Sequence, residues 1–153
     1  NLLLFIFFYY IIFAVIYMTT TELLNILNQN QHLSFQELFQ KIPDITFLDY
    51  LSMLLETHHI SKSELIKKTY LERTYAYQIL NGTRLPKKDK VLQIAIALQL
   101  DLHETNILLT LSKNQNLYPK IKRDALIIFG MNHHYDIQRI NELLDEYNFP
   151  ILE

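Results

Sequence analysis

Apolar residues recur at three- and four-residue spacing in one segment after another, with capping residues between the segments, while strand signals are weak throughout. That period predicts an all-α chain. Near the start, Thr19-Thr20-Thr21-Glu22 is a T-x-x-E capping box, and a helix over about Thr20 to Asn28 aligns Leu23, Leu24 and Leu27. Asn28 to His32 reads as a polar linker, and Ser34-Phe35-Gln36-Glu37 opens a short helix that ends before Pro43. Phe47, Leu48, Leu51, Leu54 and Leu55 then mark one face of a helix ending near His58. Ser61-Lys62-Ser63-Glu64 caps a short helix to about Lys68, Thr69-Tyr70-Leu71 interrupts it, and a second short helix runs from Glu72 to Asn81. Gly82 stands where a helix ends in the left-handed conformation.

Pro86 precedes a longer helix with Val91, Leu92, Ala95 and Leu98, and Asp101-Leu102-His103-Glu104 caps the next, to about Ser112. Asn114 to Leu117 is a linker. Pro119 is expected to start a helix that holds Ile121, Ala125, Ile128 and Phe129 and stops near Gly130. Asp136 caps the last, with Ile137, Ile140, Leu144 and Tyr147 inward. Four stretches follow: an apolar leader over 1–17, a helical arm over 18–46, a helical domain over 47–112 and a helical hairpin over 113–153.

Leu2 to Met18 are all apolar, a run of 17 that just reaches spanning length. No Lys or Arg flanks it, the first being Lys41, so the run lacks both the charged start of a signal peptide and an orienting cytoplasmic flank. Apart from Ala14 and Val15, every residue from Asn1 to Tyr17 can be encoded by A and T alone, and Met18 directly precedes the first capping box. The expectation is a mis-assigned extension, with a short membrane anchor as the competing reading; a membrane partner arises only if the leader is genuine. The remaining 136 residues hold 60 apolar ones, ordinary for a soluble globule.

With no Cys among 153 residues, disulfides, thiolate metal sites and thiol nucleophiles are excluded. Two distant glycines, Gly82 and Gly130, cannot build a Walker loop or a G-x-G-x-x-G turn. The net charge of −2 hides an imbalance. Residues 61–90 hold eight bases (Lys62, Lys67, Lys68, Arg73, Arg84, Lys87, Lys88, Lys90) against three acids (Glu64, Glu72, Asp89), net +5, so the rest carries −7. Such a window suits phosphate, whose neutralisation supplies most sequence-independent affinity for DNA. Its two short helices and tight turn have the lengths of a helix-turn-helix.

The stretch Ser61 to Gly82, S-K-S-E-L-I-K-K-T-Y-L-E-R-T-Y-A-Y-Q-I-L-N-G, resembles the helix-turn-helix of lambda-repressor, Cro and Xre-like regulators. Its polar start, central turn and closing Asn81-Gly82 match, and the resemblance extends over Phe47 to Ser112 as a five-helix domain. It implies a phosphate contact at Lys62, base-facing positions at Arg73, Thr74 and Tyr77, and backbone contacts from Asn81, Thr83 and Arg84. Two departures stand out. Tyr70 occupies a turn position where the family tends to have Gly, and a left-handed non-Gly residue costs about 1 to 2 kcal/mol. Ile66 and Ala76 exchange the family's small and branched partners, which conserves volume across the expected contact.

The helix from Glu72 to Asn81 is expected to bury Ala76, Ile79 and Leu80 with Leu71 and to present Arg73, Thr74, Tyr77 and Gln78. Arg73 can donate twice to guanine O6 and N7, Gln78 can pair with adenine, and the Thr74 methyl can touch thymine. Lys62, Arg84, Lys87 and Lys88 are expected to grip phosphates and set register. Glu72 either repels phosphate, orients Arg73 or caps its own helix. The plainer reading makes these charges a solvated face and Tyr75 and Tyr77 rim residues.

Six histidines include the adjacent pairs His58-His59 and His133-His134, and neighbours do not share a helical face, so no metal is expected. Scattered carboxylates and the lack of a nucleophile elbow point to no enzyme, no cofactor and no small-molecule substrate. The hairpin either completes the core or carries a homodimer contact, as paired half-sites would favour. The expected protein is a cytoplasmic regulator that binds double-stranded DNA. The alternative is an interaction module, an antitoxin or adaptor, whose basic face is incidental; salt dependence separates the two.

Overall fold

A computed structural model of the chain describes residues 20–29 and 44–153, together with positions 34, 36, 39, 40 and 42. The chain divides into two compact units, one up to Asp44 and one from Ile45 to Glu153. The described residues are helical, with eight α-helices and no strand. Among them no helix is long and apolar enough to cross a membrane. The leader expected over 1–17 lies outside the described residues.

In the first unit, α1 (Thr20–Gln29) extends one residue past the predicted end, and Leu24 and Leu27 on its apolar stripe are exposed. Of the stretch expected as a short helix before Pro43, Gln36, Phe39 and Gln40 are helical, and Ser34 and Ile42 are described outside the helix.

The second unit contains α2 (Phe47–Thr57), α3 (Lys62–Lys68), α4 (Arg73–Leu80), α5 (Lys88–Ala97), α6 (Leu102–Leu111), α7 (Lys122–Asn132) and α8 (Ile137–Glu146). Reciprocal capping boxes start α2, α3 and α6 through Thr46/Asp49, Ser61/Glu64 and Asp101/Glu104, each satisfying two otherwise free amides. Six helices end alike. His59, Gly82, Gln99, Lys113, His134 and Asn148 have φ between 53° and 74°, and the amides of each and of the following residue turn back onto the last helical turn. This is the Schellman arrangement, and glycine occupies it only once. The two adjacent histidine pairs therefore have a structural place: each supplies the C-cap and the left-handed residue after it, for α2 and for α7.

Residues Val91 to Leu98, the rest of α5 and its C-cap, are buried without a break, so past its charged first turn this helix is enclosed on all sides, with Gln93 its one buried polar side chain. It packs against α3, α6 and α8, while α2 packs on α6. Tyr50, Leu51, Leu54, Leu92, Leu98, Leu108 and Leu109 fill the core between them.

The hairpin of α7 and α8 belongs to this same unit, and its first helix differs from expectation. Pro119 lies in a turn and α7 starts at Lys122. Its buried residues are Asp124, Ile127, Gly130 and Met131, whereas Ile121 and Phe129 are about half exposed, at 49% and 47%. Asp124 is drawn inward by the Lys88 ammonium and the Tyr118 amide. The helix ends at Asn132, two residues past Gly130, and a Cβ added at Gly130 would come within 2.6 Å of Ile140 Cγ1. On α8, Ile137, Ile140 and Leu144 are buried, but Tyr147 is the exposed C-cap.

Candidate nucleic-acid interface

Helices α3 and α4 pack against each other through the segment Thr69 to Glu72. Thr69 caps α3, its amide and hydroxyl both donating to the Ile66 carbonyl. The Tyr70 amide donates to Oε1 of Gln93, a fully buried side chain of α5, at 3.1 Å. Leu71 is buried, and Glu72 caps α4 by accepting from the Thr74 and Tyr75 amides, both at 2.9 Å. No residue of this turn has positive φ. Tyr70 thus avoids the strain that a glycine would relieve, because a long-range bond to Gln93 fixes the turn instead.

Along α4, Ala76, Ile79 and Leu80 are buried with Leu71, and Arg73, Thr74, Tyr77 and Gln78 are exposed. Across the α3 contact, Ala76 is buried and Ile66 is half-buried; the fully buried residue of α3 is Leu65. The Arg73 guanidinium lies over the Tyr77 ring, 5.8 Å from its centroid.

The six residues expected at phosphates have different surroundings. Lys62 is exposed, and its Nζ donates to the Leu80 carbonyl at 3.2 Å, placing a cation at the electronegative end of α4. Asn81 is the exposed C-cap of α4. The loop after Gly82 wraps one carbonyl: Gln78 O accepts from the Thr83 amide, the Thr83 hydroxyl and the Arg84 amide. Arg84 is exposed and its guanidinium stacks over Tyr75 at 4.6 Å. Lys87 is the exposed residue preceding α5.

Lys88 departs from this pattern. Its ammonium lies 3.1 Å from both carboxylate oxygens of Asp124, which is 2% exposed and also accepts from the Tyr118 amide. Beside it, Arg123 reaches back to Asp89 through two bonds of 3.1 Å and to the Pro150 carbonyl. Two ion pairs thus stitch the first turn of α5 to the first turn of α7, and Lys88 is drawn into the fold rather than outward. Neither pair was visible in the local sequence, because each spans more than thirty residues. The Tyr75–Arg84 stack was likewise unforeseen, although Tyr75 stands one position from a buried alanine and could have been placed at the helix flank.

The acids of the basic stretch are consumed internally. Glu64 closes the α3 capping box, and its carboxyl is held below the ordinary glutamate range by the Ser61 amide and hydroxyl, with a smaller contribution from Lys68 and Lys67. Glu72 is lowered by the Thr74 and Tyr75 amides, which settles its place as a cap. Asp89 is paired with Arg123. Of the eight bases, only Lys88 has a carboxylate partner among the described residues, and Lys62, Lys67, Lys68, Arg73, Arg84 and Lys87 are exposed. Comparison with protein-family models, with curated proteins and with solved structures gives no match to this chain.

Proposed function

We propose that this chain is a sequence-specific double-stranded DNA-binding transcriptional regulator with a lambda-repressor-like, Xre-type helix-turn-helix, in which α4 enters the major groove. The observation that carries this reading is the asymmetry of charge: the acids of residues 61–90 are occupied in caps and an ion pair, while six of its cations are exposed, Arg73 on α4 and Arg84 in the loop after it among them. In the groove, Arg73, Thr74, Tyr77 and Gln78 read base edges, and Lys62, Asn81, Thr83, Arg84 and Lys87 hold the flanking phosphates. Lys88 is left out of that set because of Asp124. Three phosphate-bound side-chain cations per site imply a slope of log K against log salt near about −2.7. Work in the cytoplasm on a nucleoid template fits this activity.

The test compares two variants on duplex pools. Arg73→Ala should cost about 1 to 3 kcal/mol and relax preference at one base position, while Lys87→Ala should weaken all sequences alike and flatten the salt slope by about one unit. Equal, salt-independent losses from both would contradict these roles.

A second reading is favoured by the outer face of α7, where Ile121 and Phe129 are exposed and Ala125 and Ile128 half-exposed. It makes the chain an interaction module, an antitoxin or adaptor. Within the DNA-binding reading, the same face is where a homodimer would form, and sedimentation at several concentrations tests that.

A further inference from the structure

Two arginines on the outer surface of α4 and its following loop are each held by a tyrosine of the same helix. Arg73 opens α4, and Tyr77 stands one turn later with the guanidinium over its ring at 5.8 Å. Arg84 lies beyond the helix, where the Gln78 carbonyl fixes its backbone, and its guanidinium covers Tyr75 at 4.6 Å. Tyr75 is half-buried and Tyr77 is 39% exposed, so one ring is a seated platform and the other stands at the edge of the surface. Neither guanidinium has a carboxylate partner among the described residues.

An arginine side chain carries about 2 kcal/mol of rotamer entropy, which a free arginine would lose on meeting DNA. A ring beneath the guanidinium removes part of that loss in advance and leaves its in-plane N–H groups free to donate. We infer that Tyr77 and Tyr75 are positioning residues: Tyr77 aims Arg73 at a guanine edge, and Tyr75 holds Arg84 for a backbone phosphate. This rests on the duplex-binding reading above. It moves Tyr77 from reading a base itself to setting the arginine that reads.

The two rings therefore have different signatures. Loss of Tyr77 affects discrimination at one base pair, and loss of Tyr75 affects all duplexes equally, each by about two- to five-fold from an exposed cation–π contact. Phenylalanine keeps the ring face at both positions and so should keep both properties.

The test uses the full chain and a duplex pool with a randomised centre, selected in parallel by wild type, Tyr77→Ala, Tyr77→Phe, Tyr75→Ala and Tyr75→Phe, with circular dichroism melting to confirm that each variant is folded. The expected result is that Tyr77→Ala loses guanine enrichment at one position, Tyr75→Ala retains the enriched sequence but binds all duplexes two- to five-fold more weakly, and both phenylalanine variants match wild type. If wild type enriches a sequence and the folded alanine variants enrich it equally with unchanged affinity, the positioning roles are overturned while duplex binding stands. If wild type enriches nothing and binds no duplex, the DNA-binding reading falls and the positioning roles fall with it.

Discussion

Removing the Lys88 ammonium should destabilise the second unit far more than removing its neighbour Lys87. At 3.1 Å, and with an effective dielectric of 20, the Lys88–Asp124 attraction is about 5 kcal/mol before costs. Ordering the lysine and desolvating a carboxylate that is 2% exposed offset part of that, and the Lys88 side chain is 25% exposed, so water moderates the rest. We expect Lys88→Met to cost about 3 kcal/mol, because Asp124 keeps only the Tyr118 amide and remains buried. Asp124→Asn should cost less, about 1 to 2 kcal/mol, since the amide oxygen still accepts from Tyr118 and the freed lysine can swing to solvent. The double variant should lose less than the sum of the singles, with a coupling of about 2 kcal/mol. Urea unfolding followed by circular dichroism measures all four corners, and the Lys88→Met melting temperature should fall by roughly 10 °C. Lys87→Ala, lacking any carboxylate partner, should stay within about 0.5 kcal/mol of wild type. Equal small losses at Lys87 and Lys88, with no coupling to Asp124, would show that this ion pair does not hold the two helices together.

Three further outcomes follow from the helix ends and the hairpin. Lys113 is exposed at φ 61°, and Lys113→Gly should raise stability by about 0.5 to 1 kcal/mol in the same unfolding assay, the relieved strain exceeding the entropy that glycine adds to the unfolded chain. Gly130→Ala should destabilise by about 2 kcal/mol despite alanine's better helix propensity, because its methyl meets Ile140 at 2.6 Å; a neutral result would mean that α7 and α8 do not cross there. Glu64 and Glu72 have lowered carboxyl pKa values, so their caps contribute stability that is fully present above the ordinary glutamate value of about 4.3 and is lost as pH falls through the lowered values. Glu64→Gln and Glu72→Gln should each flatten the acid limb of a stability-against-pH curve, and an unchanged limb in both would count against the capping geometry.

Local chemistry made much of the fold legible. The Ser61 and Asp101 capping boxes, the apolar period of α2 and α5 and the glycine after Asn81 placed those helices within a residue or two, because caps and amphipathic stripes depend on neighbours three or four positions apart. The outward set Arg73, Thr74, Tyr77 and Gln78 was legible for the same reason. Long-range partners were not. Asp124 reads as a surface carboxylate until Lys88 is brought beside it, and that pairing accounts for a buried charge on α7 and occupies the Lys88 ammonium. Gln93 reads as a polar interruption in α5 until Tyr70 is seen to need an acceptor. The five left-handed residues other than glycine, two of them histidines, were hidden because the expected signal at helix ends is glycine itself.

On the function proposed above, the outward face of α3, α4 and the following loop meets duplex DNA. Amide shift mapping of the chain titrated with its selected duplex tests it most directly. Shifts should concentrate at Lys62, Arg73 to Gln78 and Asn81 to Lys87 and shrink as salt rises, with α7 unaffected or changed only along Ile121 and Phe129 through self-association. A duplex that shifts none of these amides, or shifts that map to the hairpin alone, would contradict it.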